Sequence, residues 1–270
     1  MPELPEVETV RNTLKKQILG EKIKKIKILY DGIIASDITF FKQNILNQEF
    51  IDIKRLGKFL IFELTDYYLV SHLRMEGKYF IKRIDDVIEK HEHIIFYLNN
   101  KTLRYHDTRK FGKMYLVLKD RLFLDTPLSK LGLEPWDEKL DSNYLKEKYH
   151  QNVAIKTLLL DQSVIAGIGN IYADEILFMS HINPNKKGKE LSEKDLNNII
   201  SNTRIVLNKA IEKGGTTIRS YTSSLGVIGH FQDDLFVHNC LGMKCMKCGT
   251  MIVKIKVNGR GTYYCPKCQE

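Results

Sequence analysis

Cysteine is absent from the first 239 residues; all five lie in the last 31, beginning at Cys240. That distribution excludes a disulfide framework through the body of the chain. An odd number of thiols crowded into one end points instead to a metal site in a reducing compartment. No run of about 18 apolar residues exists, so no membrane-spanning helix is expected. The opening Met1-Pro2-Glu3-Leu4-Pro5-Glu6 is acidic and has no apolar stretch, which argues against a signal peptide. Internal repeats and low-complexity tracts are also missing. A soluble, cytoplasmic protein is the expectation. Acidic residues are in deficit, 33 against 42 basic ones, which leaves a net charge of +9. Such a surplus suits a polyanionic partner, because lysine and arginine displace the counterions held on phosphates. A lysine-rich stretch such as Lys22–Lys27 is equally compatible with a solvated face.

The hydrophobic pattern changes twice along the chain. Residues 3–19 read as a helix with acids first and lysines last, an order that complements the helix dipole, closed by Gly20. From about 22 to 118, short β-rich runs follow, including 59–64, 67–73, 93–98 and 113–118, with polar breaks at Thr65-Asp66 and Asn99-Asn100 that read as hairpin turns. Helical signals then cover 154–161, 171–179 and 192–213, the last opened by Ser192 and Asp195 as a capping box and closed by Gly214-Gly215. The expected fold class is α+β: an N-terminal helix with an antiparallel β-sandwich in residues 1–130, a linker at 131–150, a helical domain at 151–235 and a β-hairpin finger at 236–270.

The finger carries the strongest local motif. Cys245-Met-Lys-Cys248 and Cys265-Pro-Lys-Cys268 are two knuckles, each able to place two thiolates on one ion, and together they close a tetrahedral shell. The spacer alternates over 252–257 and turns at Asn258-Gly259, which describes a hairpin between the knuckles. Cys245, Cys248, Cys265 and Cys268 are therefore expected to hold one structural zinc ion, with no open position for catalysis. Cys240 is left over as a small, half-buried residue. Six basic side chains against a single acid in 244–270 suit phosphate contact, although a protein-binding zinc ribbon has a similar balance.

Pro2 becomes a secondary amine if the initiator methionine is removed. The α-amino group titrates near pH 8, so a useful fraction is nucleophilic at neutrality. Attack on a sugar carbon would give an iminium that keeps its positive charge, acidifies the neighbouring C–H and favours elimination. Glu3 and Glu6 stand three residues apart beside it as candidate proton donor and acceptor. Proline and glutamate are also ordinary helix starters, so this segment alone decides nothing.

Further motifs lie in order along the chain: Leu56-Gly-Lys58, His72-Leu-Arg-Met-Glu-Gly-Lys78, His106-Asp-Thr-Arg-Lys-Phe-Gly112 and Gly167-Ile-Gly-Asn-Ile-Tyr172. Together with Pro2–Glu8 and the paired knuckles, they resemble the formamidopyrimidine-DNA glycosylase family over nearly the whole length. The resemblance implies a bifunctional glycosylase and abasic-site lyase that removes 8-oxoguanine and formamidopyrimidines from duplex DNA in base excision repair. It also implies a helix–two-turn–helix element in the helical domain and a bacterial protein that is nucleoid-associated when on DNA. By resemblance, Pro2 forms the Schiff base at the sugar C1′, Glu3 is the general acid, and Lys58 engages the phosphate beside the lesion. Met75, Arg109 and Phe111 match a set that fills the gap left by the extruded nucleotide, with Arg109 bonding the orphaned base, expected to be cytosine. Apolar wedges offset part of the unstacking cost. Asn170 and Arg260 match phosphate-binding positions, with Arg260 counted in the catalytic group. His91 is a further phosphate candidate. Glu6, Glu76, Arg219, Ser220 and Tyr221 are candidates for reading the flipped base, the last three within the loop 216–229.

One stretch departs from the pattern: Val237-His-Asn-Cys240 stands where the family carries Val-Tyr-Gly-Arg, which puts one phosphate contact in question. Leu4, with Met75, Arg109 and Phe111, favours the oxidised-purine branch over the related endonuclease VIII branch, which acts on oxidised pyrimidines. A non-catalytic lesion-binding protein is the alternative from another class. Nothing in this arrangement needs a second subunit, so a monomer is expected.

Overall fold

The computed structural model describes residues 1–216 and 229–269. It resolves into two compact units: Met1–Ser129 with the described part of Gly214–Gly229, and Lys130–Lys213 with the described part of His230–Glu270.

In the first unit α1 (Leu4–Ile18) has Pro5 in its first turn, where a missing N–H costs nothing, and Lys15 and Lys16 in its last. Val7, Val10, Leu14 and Ile18 recur at helical spacing and are at most 2% exposed. Beyond it come β1 (Lys25–Ile28), α2 (Ile38–Asn44), β2 (Phe50–Leu56), β3 (Phe59–Leu64), β4 (Tyr67–His72), β5 (Lys78–Arg83), β6 (Glu92–Tyr97), β7 (Lys101–His106) and β8 (Lys113–Leu118). The strands form two four-stranded antiparallel sheets, ordered β1-β6-β7-β5 and β2-β3-β4-β8. The buried stripe of α1 packs on β2 and β3. The sheets share one core, in which Phe62 of β3 meets Tyr79 of β5 edge-on at 5.5 Å and Tyr79 meets Tyr105 of β7 at 5.2 Å. Both expected hairpins form, β3–β4 across Thr65-Asp66 and β6–β7 where Leu98 N donates to Lys101 O at 2.9 Å.

The second unit holds α3 (Ser142–Lys148), α4 (Ile155–Leu159), α5 (Asn170–Met179), α6 (Glu193–Glu212) and the hairpin β9 (Val253–Val257) and β10 (Arg260–Tyr264). The capping box at α6 is present: Asp195 N donates to Ser192 Oγ at 3.1 Å, and Ser192 N to Asp195 Oδ2 at 3.0 Å. Residues 131–150, expected as a linker, make packing contacts within this unit. Leu133 bridges to Ile165, α3 packs on α6, and Arg204 of α6 donates to the carbonyls of Pro135 at 2.8 Å and Leu140 at 3.4 Å. The turn-forming residues mask a segment anchored by buried Leu140 and Leu145. Among the described residues no helix is long and apolar enough to cross a membrane.

Candidate functional site

Of the expected catalytic residues, Pro2, Glu3 and Lys58 belong to the first unit and Arg260, on β10, to the second. Pro2, Glu3 and Glu6 are buried. Glu3 N donates to Glu6 Oε2 at 2.8 Å, within a reciprocal capping box. The other oxygen, Glu6 Oε1, accepts from Thr216 N at 2.8 Å and Thr216 Oγ1 at 3.1 Å. The two oxygens of Glu6 thus tie Glu3 to Thr216. Only glycine fits at 215, because its φ is +78° and a Cβ would lie 2.6 Å from Glu6 Oε1.

A second tie reaches the turn between β2 and β3. Glu8, one turn into α1, accepts from Arg55 Nε at 2.8 Å, and Arg55 Nη1 donates to Gly57 O at 3.1 Å. The Arg11 and Arg55 guanidiniums hold the Glu8 carboxyl below the usual range against the opposing effect of burial. Lys58 follows Gly57 and is only 6% exposed, a lysine taken out of solvent at the head of a turn. It lies close enough to His72 for its charge to act there. Burial first, then Arg74 and Lys58, push the His72 imidazole down to about 3, so it is neutral. Arg74 N donates to His72 Nδ1 at 2.9 Å, which leaves the ring proton on Nε2. His72 opens a quoted motif, yet nothing in its spacing marks it as a site residue; the functional weight of Glu8, Arg55 and Thr216 is equally silent in sequence.

The expected wedge residues sit on two neighbouring turns. Met75 is 37% and Phe111 51% exposed, so residues that would singly be taken for core face solvent. The Arg109 guanidinium lies over the Phe111 ring at 4.8 Å. Glu76 accepts from Thr108 Oγ1, which joins the two turns. His91 is half-buried, has a φ of 72° and meets His106 at 5.7 Å between rings. Arg219, Ser220 and Tyr221 lie outside the described residues.

In the second unit, Gly167 (φ 105°) and Gly169 form the turn into α5. Gln162 clamps that turn: its Oε1 accepts from Gly167 N at 3.0 Å and its Nε2 donates to Ile168 O at 2.8 Å. Asn170 Nδ2 donates to Gly261 O at 2.9 Å, which places Asn170 beside the residue that follows exposed Arg260. Beneath this corner lies a network that the sequence reading missed. Lys156 of α4 and Asp174 of α5 form a fully buried ion pair, Lys156 Nζ also donates to Asn170 O at 3.1 Å, and His238 Nδ1 meets Asp174 Oδ2 at 2.7 Å. Glu175 accepts from the backbone N–H groups of Phe236, Val237 and His238 at 2.9–3.0 Å. Burial pushes its carboxyl up, partly offset by those donors. The stretch that departs from the family pattern is therefore well anchored. His238 packs edge-on against Tyr263 at 5.1 Å, and Asn239 takes the positive φ (63°) that the pattern's glycine would supply.

The Sγ atoms of Cys245, Cys248, Cys265 and Cys268 lie within 4.8 Å of one another. Cys248–Cys265 and Cys245–Cys268 are 3.4 and 3.9 Å apart, too long for S–S bonds. They match the roughly 3.8 Å edges of a tetrahedron with Zn–S distances near 2.3 Å. The donor set fits one structural zinc ion. Gln269 braces the shell, accepting from Cys265 N at 2.8 Å and donating to Ile182 O at 3.1 Å. Cys240 stands apart, with burial raising its thiol pKa.

Three family descriptions match the chain in order: the formamidopyrimidine-DNA glycosylase N-terminal domain over residues 1–114, the H2TH domain of the same enzymes over 131–222, and the zinc finger found in FPG and IleRS over 242–270. A formamidopyrimidine-DNA glycosylase of Bacillus subtilis (strain 168) is 45% identical over 273 residues, covering 100% of this chain and 99% of the relative. A crystal structure of a Lactococcus lactis FPG mutant with Fapy-dG containing DNA superposes with a TM-score of 0.95 at 41% identity, covering 100% of both chains. A complex of the Lactococcus lactis protein with abasic-site DNA gives 0.94 at 41% identity, covering 99% of each. The chain belongs to the formamidopyrimidine-DNA glycosylase family.

Proposed function

We propose that this chain excises oxidised purines, 8-oxoguanine and formamidopyrimidines, from duplex DNA and then cleaves the abasic strand by β,δ-elimination, acting in the bacterial cytoplasm and on the nucleoid. The observation that supports the reading is that Pro2, Glu3 and Lys58 are all buried in one unit, where Glu6 bonds Glu3 at the start of α1 and the Glu8–Arg55–Gly57 chain ties α1 to the turn that precedes Lys58. With Met1 removed, the Pro2 amine attacks C1′ and displaces the base. Glu3 delivers a proton to the sugar ring, and Lys58 binds the adjacent phosphate. The iminium keeps its positive charge and acidifies the C2′–H; a base takes that proton, the C–H electron pair moves towards the iminium, and the 3′ phosphate leaves. Met75, Arg109 and Phe111 occupy the vacated stack, while Asn170, Arg260 and His91 bind flanking phosphates. Zinc on the four thiolates has no open position and serves to hold the hairpin that carries Arg260. The residues 1–130, 151–235 and 236–270 act as catalytic, helical DNA-binding and finger parts of a monomer, and Arg219, Ser220 and Tyr221, with Glu76, read the flipped base.

The test is to incubate purified, zinc-loaded protein, mass-checked for Met1 removal, with an 8-oxoguanine:cytosine duplex and borohydride. A covalent adduct mapped to Pro2 is expected. Intact binding without an adduct overturns the amine mechanism, and faster cleavage of a thymine glycol duplex overturns the purine assignment.

A further inference from the structure

The two wedge-bearing turns are joined by a buried device that uses residues not otherwise assigned a role. Asp107 is fully buried, and both of its carboxylate oxygens are spent on main-chain donors of the turn it precedes. Oδ1 accepts from Arg109 N at 3.0 Å and Oδ2 from Gly112 N at 2.8 Å, so a single side chain grips the loop at both ends of the Arg109–Phe111 pair. The backbone of Asp107 is fixed as well. Its N–H donates to His91 O at 3.0 Å, and its carbonyl accepts from His93 Nε2 at 2.7 Å.

Tyr105 links this loop to the other turn. Its ring is fully buried and its hydroxyl reaches Asp107 Oδ2 at 3.4 Å. That hydroxyl occupies the volume a side chain would need at two glycines: a Cβ at Gly112 would lie 1.6 Å from it, and one at Gly77 would lie 2.3 Å from it. The tyrosine oxygen is therefore wedged between the end of the Met75 turn and the end of the Arg109–Phe111 turn. The Met75 turn is closed on its own side by Gly77 N donating to Leu73 O at 2.9 Å. Thr108 and Glu76 add a second strap across the gap.

We propose that Asp107 and Tyr105 are positioning residues that lock the Met75 turn and the Arg109–Phe111 turn into one preformed wedge. The proposal rests on the wedge reading given above. An apolar tip that enters a base stack acts best if it is already ordered, because ordering it on contact subtracts from binding. Carboxylate chemistry is needed at 107: an asparagine offers one acceptor oxygen and turns an NH₂ towards the other N–H, so one end of the loop is released. A displacement near 1 Å at a positioning contact can cost about a hundredfold in rate.

The test compares D107N, Y105F and R109A in the full-length, zinc-loaded chain. Each is assayed for excision from 8-oxoguanine:cytosine and 8-oxoguanine:adenine duplexes, and for cleavage of a preformed abasic site, where no base has to leave the stack. D107N is expected to slow excision by roughly ten- to a hundredfold and to shrink the preference for cytosine. Abasic cleavage is expected to stay within about threefold, since positioning and not the nucleophile is affected. Y105F, which keeps the ring and loses only the hydroxyl, should show the same split to a smaller degree and decides the matter if D107N does not fold. Wild-type excision with unchanged opposite-base preference, or equal loss of both activities, overturns the coupling. If R109A itself leaves excision and base preference untouched, the wedge reading fails instead.

Discussion

Replacing Lys156 with methionine tests how the second unit is held together. The substitution keeps the chain length and removes the charge. It leaves Asp174 fully buried with His238 Nδ1 still against it, and it deletes the bond to Asn170 O at the start of α5. Breaking a buried ion pair from one side costs about 3–5 kcal/mol, since the abandoned charge stays desolvated. That is a large share of the ~5–15 kcal/mol that stabilises a domain. For a unit of this size each kcal/mol moves the melting midpoint by roughly 3–5 °C, so a fall of about 9–25 °C in its calorimetric transition is expected. A cycle of K156M, D174N and the double variant should give a coupling well above 1 kcal/mol, the level of a surface pair. DNA affinity should fall in parallel, because the Gly167–Asn170 turn loses a support. Lys148 beside Glu147 is the control: it is solvent-facing, and its removal should leave the transition unmoved. A K156M protein that melts within about 1 kcal/mol of the parent refutes the reasoning.

Removing the metal should act locally. A two-stranded hairpin is marginal alone, and the finger's core is small, built on Phe178, Val237, Cys245, Ile252 and Cys265. A chelator or C265S is expected to unfold 236–269 and abolish DNA binding while the β-rich unit keeps its circular dichroism; retained binding in metal-free protein would contradict this. Acid should destabilise through His72. Its folded pKa, about 3, lies below the unfolded value near 6.5, so the unfolded state binds the extra proton. The stability this residue contributes is full above pH 6.5 and drains as pH falls towards 3, by about 2 kcal/mol at pH 5. Urea melts of H72N should therefore lose less stability between pH 8 and pH 5 than the parent, and identical losses would show that His72 is not held neutral.

What the sequence determined by itself is local or periodic. The knuckles, the hairpin between them, the Ser192 cap, the stripe of α1 and the turns at Thr65-Asp66 and Asn99-Asn100 all depend on residues a few positions apart, and they lie where their spacing put them. Motif order likewise carried the family. Only the tertiary structure decided which of these residues share surroundings. Lys58 reads as a surface lysine at a turn, and it is buried because Glu8 and Arg55, 47 positions apart, draw α1 against that turn. Met75 and Phe111 read as core but face solvent, on turns whose neighbouring backbone Asp107 bonds at Gly112. His238, whose role the sequence left open, meets Asp174 across 64 residues. Desolvation and pairing are set by whatever packs against a side chain, and a linear pattern does not contain the partner that only folding supplies.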